Sequence, residues 1–172
     1  MRKFIALSVF LLLASSIAFS QNQFETSLDT DGSKIFKGII SRNLLESEPS
    51  FTWYEENRKI YSPNETAVAA LKNNSDSLEL VVFMGTWCED SHFVIPRFFS
   101  LVDKSGFPNE KITLIGVNRE KKTLSHLAEA LNVKNVPTII VMKNGKEMGR
   151  VIEYGKDGQF DKELGEVITS TN

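Results

Sequence analysis

Short runs of mostly apolar residues recur along this chain and predict the strands of a sheet. The runs at 78–84 and 111–118 are typical of strands that are covered on both faces. Further strands are predicted at 35–40, 138–142 and 148–152. The last two flank Asn144-Gly145, a dipeptide that is the strongest short signal for a tight hairpin.

Stretches between these runs predict helices at 48–61, from 62 to the polar turn at 73–76, and at 88–101, 123–131 and 160–168. Ser62 as N-cap, Pro63 at the first helical position and Glu65 as the other half of a capping box predict how the second helix begins. Pro96 falls inside the third. Alternating strands and helices predict an α/β domain with a central, largely parallel mixed β-sheet flanked by helices and finished by an antiparallel hairpin.

The first twenty residues have the layout of a cleaved signal peptide. A basic start at Arg2 and Lys3 precedes an apolar run at 4–14, and Ala18 and Ser20 suit cleavage after Ser20. A membrane anchor is the alternative, but the run is shorter than the roughly 20 residues that a spanning helix needs. We therefore expect an exported protein with a leader and N-terminal extension at 21–61, mobile up to residue 34, and a domain at 62–172.

The charge and the metal-binding residue types of the chain indicate which partners and cofactors to expect. The formal net charge is −2, and loss of Arg2 and Lys3 with the signal would make it about −4. Because there is no basic cluster, we expect no nucleic-acid partner. No second long apolar stretch follows the first twenty residues, so we expect no membrane attachment after cleavage. One cysteine and two separated histidines give no metal-ligand cluster, so we expect no metal and no other cofactor.

The single cysteine, Cys88, is the candidate reactive group. Exported proteins usually pair their cysteines, so a lone one indicates an intermolecular partner or a free thiol. A buried structural cysteine is the alternative. Residues 89–92, which follow it, are all polar. Burying all four would cost much free energy of desolvation, so we expect Cys88 at the surface.

The neighbours of Cys88 predict how its ionisation is tuned. Its place where a strand gives way to a helix favours the thiolate, because unpaired N–H groups and the helix dipole point there. Ser91 is placed to direct its hydroxyl at the sulfur, and His92 as imidazolium would favour the thiolate further. Glu89 and Asp90 oppose ionisation through their negative charge. An exposed histidine with no role is the alternative for His92.

Two segments together resemble the thioredoxin family. Residues 83–88, which read Phe-Met-Gly-Thr-Trp-Cys, resemble the family's approach to its nucleophile, and Pro96 matches the proline of the helix that follows. Residues 136–147, which begin Val-Pro-Thr and include Lys-Asn-Gly, are similar to the family's cis-proline segment and hairpin. Gly155 matches a glycine past the last strand. The resemblance covers about residues 62–170 and implies the thioredoxin fold.

The resemblance also implies roles for three residues. A cis peptide at Pro137 would present the backbone of Val136 beside Cys88, where a substrate strand can pair with it. Trp87 would shield the thiol and contribute to substrate contact. Plain packing is the alternative for Trp87, and an ordinary loop proline is the alternative for Pro137.

Two positions depart from the family pattern. Ser91 stands where the family has its second cysteine, which attacks the mixed disulfide and releases the substrate. Val82 stands where the reductases of the family have a buried acid that accepts the proton of that second thiol. The two losses are mutually consistent, because without a resolving thiol the acid has nothing to deprotonate.

The sequence therefore favours an exported thiol–disulfide oxidoreductase or isomerase, periplasmic or secreted, that acts through Cys88 and mixed disulfides. Its partners would be protein thiols or disulfides, with a small thiol such as glutathione as one route to release. The alternative is a non-catalytic binding module that traps clients in the groove beside Trp87, Val136 and Pro137.

Overall fold

Six strands form one mixed sheet in the part of the chain that the computed structural model describes, residues 23–170. They are β1 (Phe24–Leu28), β2 (Lys34–Ile40), β3 (Leu78–Met84), β4 (Ile112–Gly116), β5 (Thr138–Lys143) and β6 (Lys146–Ile152). Their order across the sheet is β1-β2-β4-β3-β5-β6. The expected signal peptide at 1–20 lies outside the described residues.

The mixed central sheet flanked by helices is confirmed, but it is not largely parallel. In the sheet just described, β3 and β4 form the parallel pair, while the other neighbours are antiparallel. The difference arises on both sides of the parallel pair, because β2 runs antiparallel to β4 and β5 runs antiparallel to β3. At the N-terminal edge the Asp29 carbonyl accepts from Gly32 N–H in the turn that leads from β1 back into β2. Asn144-Gly145 joins β5 to β6 as expected, with both residues at positive φ.

The helices of the described residues are, in chain order, α1 (Arg42–Glu46), α2 (Thr52–Lys59), α3 (Glu65–Asn74), α4 (Glu89–Ser105), α5 (Leu127–Ala130) and α6 (Phe160–Thr169), with 3₁₀ turns at Asn109–Lys111 and Leu124–His126. The helix expected at 123–131 is interrupted, because Ser125 and His126 have positive φ. Pro96 lies inside α4 as expected.

The cap of α3 differs from the expected one by two residues. Asn64, rather than Ser62, accepts from the backbone N–H groups of Thr66 and Ala67 at 3.0 and 3.2 Å. Its own N–H donates to Asp161 at 2.9 Å, which fixes the chain as it enters the helix. Asparagine is among the best N-caps, and here a contact distant in sequence holds it in place.

The N-terminal segment, residues 23–61, contributes side chains to the same hydrophobic core as the rest of the fold. Residues 24–28 form β1, so the expectation of a mobile leader up to residue 34 is wrong there. Leu45 and Tyr54 are fully buried, and Phe51 packs edge-on against Phe36. The segment therefore forms one edge of the sheet and one wall of the pocket beside Cys88.

Candidate active site around Cys88

Cys88 lies at the N-cap of α4, directly after the turn that ends β3. Its N–H donates to Gly85 O and its carbonyl accepts from His92 N–H, both at 3.0 Å, so the backbone on each side is fixed. The thiol is free and half-buried. The N–H groups of the first helical turn point toward this end, which favours negative charge at the sulfur.

Val136 and Pro137 face Cys88 across the end of the sheet. Phe83 in β3 pairs with Thr138 in β5, so the residues after β3 and those before β5 meet at one edge. The Val136-Pro137 peptide is cis, and the Cys88 S–H donates to Val136 O at 3.2 Å. The structure thus brings together the residues that the sequence singled out from two segments.

Trp87 covers the side of the site toward β4. Its ring N–H donates to Val117 O at 2.9 Å, and a Cβ at Gly85 would lie 2.7 Å from the ring, so a glycine is required there. Arg119 and Lys121 lie over the same ring at 5.1 and 5.6 Å from it. Neither cation was predicted from the sequence, although both follow β4, whose end lies beside that of the parallel β3.

Ser91 is placed differently from the expectation. It is fully buried, and its hydroxyl accepts from Gly85 N–H at 3.2 Å instead of pointing at the sulfur. The turn before Cys88 creates this arrangement, because the Gly85 N–H has to find a partner once β3 has ended. Ser91 therefore holds the turn that presents Cys88.

His92 is half-buried, and its contacts match neither the imidazolium nor the exposed histidine without a role that the sequence left open. Its ring stacks on Trp53 with centroids 4.2 Å apart, and Nε2 lies 2.7 Å from Thr86 O. Since a carbonyl only accepts, Nε2 carries the proton. Burial lowers the pKa of His92 below 6.5, against smaller opposing effects of the Thr86 carbonyl and Glu89. The neutral ring therefore predominates at neutral pH.

Thr86 ties the Cys88 turn to the N-terminal segment. Its buried hydroxyl accepts from Phe36 N–H at 3.3 Å and donates to Lys34 O at 2.8 Å. With the bond from His92 to its carbonyl, Thr86 contacts both β2 and α4. No local pattern in the sequence could have revealed these contacts, since the partners in β2 lie about fifty residues earlier.

A pocket of about 590 Å³ opens beside the sulfur, between α4 and the N-terminal segment. Its walls are aromatic, acidic and hydroxyl side chains with one arginine, contributed by Asp31, Ser33, Ser50, Phe51, Trp53, Thr86, Trp87, Cys88, Glu89, Asp90, His92 and Arg119. The Tyr154 hydroxyl donates to Asp90 at 2.8 Å. Burial, with help from Asp90, raises the pKa of Tyr154 to about 12, so this donor stays protonated.

Other features of the described residues bear on the chemistry. Val82 is fully buried in β3, so an apolar side chain fills the position of the family's acid. Residues 23–170 contain no cluster of three or more side chains suited to holding a metal ion. No helix within that range is long and apolar enough to cross a membrane.

Comparison with known proteins connects this geometry to a family. Residues 61–166 match the family model described as Thioredoxin. The chain is 29% identical over 103 residues to thioredoxin H2-2 of Oryza sativa subsp. japonica, a match that covers 60% of this chain and 72% of that protein. It is 31% identical over 90 residues to thioredoxin of Echinococcus granulosus, covering 52% and 77%.

A solved structure of a protein of unknown function from Pseudomonas aeruginosa has a similar fold. Its TM-score is 0.54 at 13% identity, with 76% of this chain and 90% of that chain covered. At this identity the likeness concerns the fold alone.

Proposed function

This chain belongs to the thioredoxin family, and on that premise we propose that it carries out thiol–disulfide exchange through Cys88 alone. The observation that carries the proposal is the position of Cys88 at the start of α4, with its sulfur 3.2 Å from the carbonyl that precedes cis-Pro137. The family match and the fold support a function of the thiol–disulfide oxidoreductase kind.

The exchange step needs a thiolate and a client disulfide. The Cys88 thiolate attacks one client sulfur and forms a new S–S bond, while the other client sulfur leaves as a thiolate. Cys88 stands at the N-cap of α4, where the N–H groups of the first turn have no partner within the helix. In this scheme the client strand pairs with the backbone of Val136, and Trp87, which is held by its bond to Val117, forms the adjoining wall.

Release then requires a thiol from outside the chain. Cys88 is the only cysteine, and Ser91 cannot attack a disulfide. A second client thiol, or a small thiol such as glutathione, attacks the client sulfur of the mixed disulfide and Cys88 leaves as its thiolate. When the incoming thiol belongs to the client, the net result is isomerisation of the client's disulfides. The apolar Val82 fits this scheme, which has no buried thiol to deprotonate.

An oxidising compartment suits such a protein. We propose that residues 1–20 direct export to the periplasm or beyond the cell, where client disulfides persist.

The test is turnover with a scrambled disulfide protein as client. The full chain, added with a small thiol, should restore the client's native disulfides faster than the thiol alone, and Cys88→Ser should remove the gain. An equal rate with and without the protein would contradict the proposal.

A non-catalytic binding module is the second candidate, since the pocket and the backbone of Val136 offer a client two contact surfaces that need no turnover. In that case Cys88→Ser would leave client affinity nearly unchanged, whereas mixed-disulfide chemistry predicts that this variant loses the reductant-sensitive part of binding.

A further inference from the structure

The pocket beside Cys88 carries an excess of negative charge. Asp31, Glu89 and Asp90 line it, with Arg119 as the cation among the lining residues. Arg119 is already engaged, because its Nε donates to the Asp29 carboxylate at 2.6 Å. The acids of the pocket therefore outweigh the charge that faces them.

Hydrogen bonds to Asp31 stabilise its negative charge. Ser33 donates to Asp31 through both its hydroxyl, at 2.6 Å, and its backbone N–H, and these bonds hold the pKa of Asp31 below its usual range. His92 adds little positive charge, because burial lowers its pKa. Glu89 is exposed at the rim.

The aromatic walls of the pocket suit the methylene groups of a long, charged side chain. Phe51, Trp53 and Trp87 contribute apolar surface to the walls of the pocket. Lysine and arginine bury their methylene groups along such surface while their charged ends reach carboxylates. A volume of about 590 Å³ is in the range of pockets that hold a ligand, so a long side chain with its flanking backbone has room.

We propose that this pocket receives a lysine or arginine side chain next to the reactive cysteine of the client, and so selects clients that are cationic at that position. The inference rests on the proposed function, because the client cysteine must be at Cys88 for its neighbour to enter the pocket. The N-terminal segment thereby acts in specificity, since it supplies Asp31, Phe51 and Trp53.

The test compares short peptides that differ only in the residue beside one cysteine, which is lysine, glutamine or glutamate. Each cysteine is supplied as its disulfide with thionitrobenzoate, and attack by Cys88 on the peptide sulfur releases the coloured thiolate. Rates are divided by those of β-mercaptoethanol with the same peptide, which removes differences in intrinsic reactivity. Intact mass spectrometry verifies that the peptide is joined to Cys88.

The lysine peptide should react roughly tenfold faster than the glutamate peptide at low salt, and the ratio should shrink as salt screens the charges. Asp31→Asn with Glu89→Gln should lower the ratio to about threefold or less. The amide oxygen that Asp31→Asn introduces would still accept from Ser33, so the loop keeps its hydrogen bonds. The matched control is Glu79→Gln with Glu110→Gln, which removes the same charge at the opposite end of β3 and β4 and should keep the full ratio.

Three outcomes would overturn the inference: a ratio near one, a faster glutamate peptide drawn by Arg119 and Lys121, or an equal loss in both double variants. In each of them the peptides still react, so the proposed function survives. If no peptide becomes joined to Cys88 while β-mercaptoethanol reacts with all of them, the proposed function fails as well.

Discussion

Replacing Thr86 by valine tests how firmly the N-terminal segment holds the turn that carries Cys88. Valine has nearly the shape of threonine, so no cavity forms, but the hydroxyl that bonds Phe36 N–H and Lys34 O is lost. Phe36 is buried and its N–H would lose this acceptor, whereas Lys34 is half-buried and water can replace part of its bond.

The magnitude follows from these two bonds. Each contributes about 1 kcal/mol net, and a buried donor left unpaired costs about 1–3 kcal/mol, so we expect the free energy of unfolding to fall by about 2–3 kcal/mol. Thr123→Val is the matched control. Thr123 is also buried, but its hydroxyl has no hydrogen-bond partner, so its loss should be neutral or stabilising by up to about 1 kcal/mol.

Urea denaturation at neutral pH, followed by tryptophan fluorescence, gives both free energies by linear extrapolation. The rate of Cys88 alkylation, measured on the same samples, reports whether the turn has loosened. We expect Thr86→Val to change that rate and Thr123→Val to leave it unchanged. A loss of stability no greater for Thr86→Val than for Thr123→Val would refute the link between β2 and the Cys88 turn.

Three further predictions concern Ser91, His92 and the expected cleavage of the signal peptide. The wild-type chain should show only weak reductase activity toward insulin, and Ser91→Cys should raise it severalfold by supplying a resolving thiol, with Val82 limiting the gain. Wild-type activity already equal to that of a dithiol thioredoxin would contradict the monothiol scheme. The lowered pKa of His92 means that the unfolded chain takes up its proton first, so stability is full above pH 6.5 and is lost as the pH falls below it. His92→Gln should flatten that part of the urea-stability curve, and an unchanged slope would show that other groups cause it. N-terminal sequencing of exported protein should begin at or near Gln21, whereas a full-length, membrane-bound form would contradict cleavage.

Local patterns in the sequence were sufficient to predict the central elements of the sheet. In the run Leu78–Met84 five residues are buried, Val81 is half-buried and Glu79 is exposed, as its mostly apolar composition indicates. Asn144-Gly145 has the backbone conformation that such a dipeptide favours. Cys88 likewise indicated where the site lies, because a single thiol between a strand and a helix is itself the candidate reactive group.

Contacts distant in sequence account for what was missed. The Ser91 hydroxyl bonds Gly85 because the end of β3 leaves that N–H in need of a partner. His92 is neutral because Trp53, nearly forty residues earlier, covers it. The pocket likewise forms only when the β1–β2 turn and α2 pack beside the start of α4, which brings Asp31 together with Glu89 and Asp90. Periodicity and capping rules describe neighbours along the chain, so they contain no information on such pairs.

Trapping of clients on Cys88 in living cells tests the central claim most directly. Cells producing the full chain are quenched with acid and alkylated, the protein is purified without reductant, and its adducts are identified by mass spectrometry. We expect client proteins joined to Cys88 through disulfides, released by reductant and missing from a Cys88→Ser strain. A Cys88 recovered only as the free, alkylated thiol under the same conditions would contradict the account.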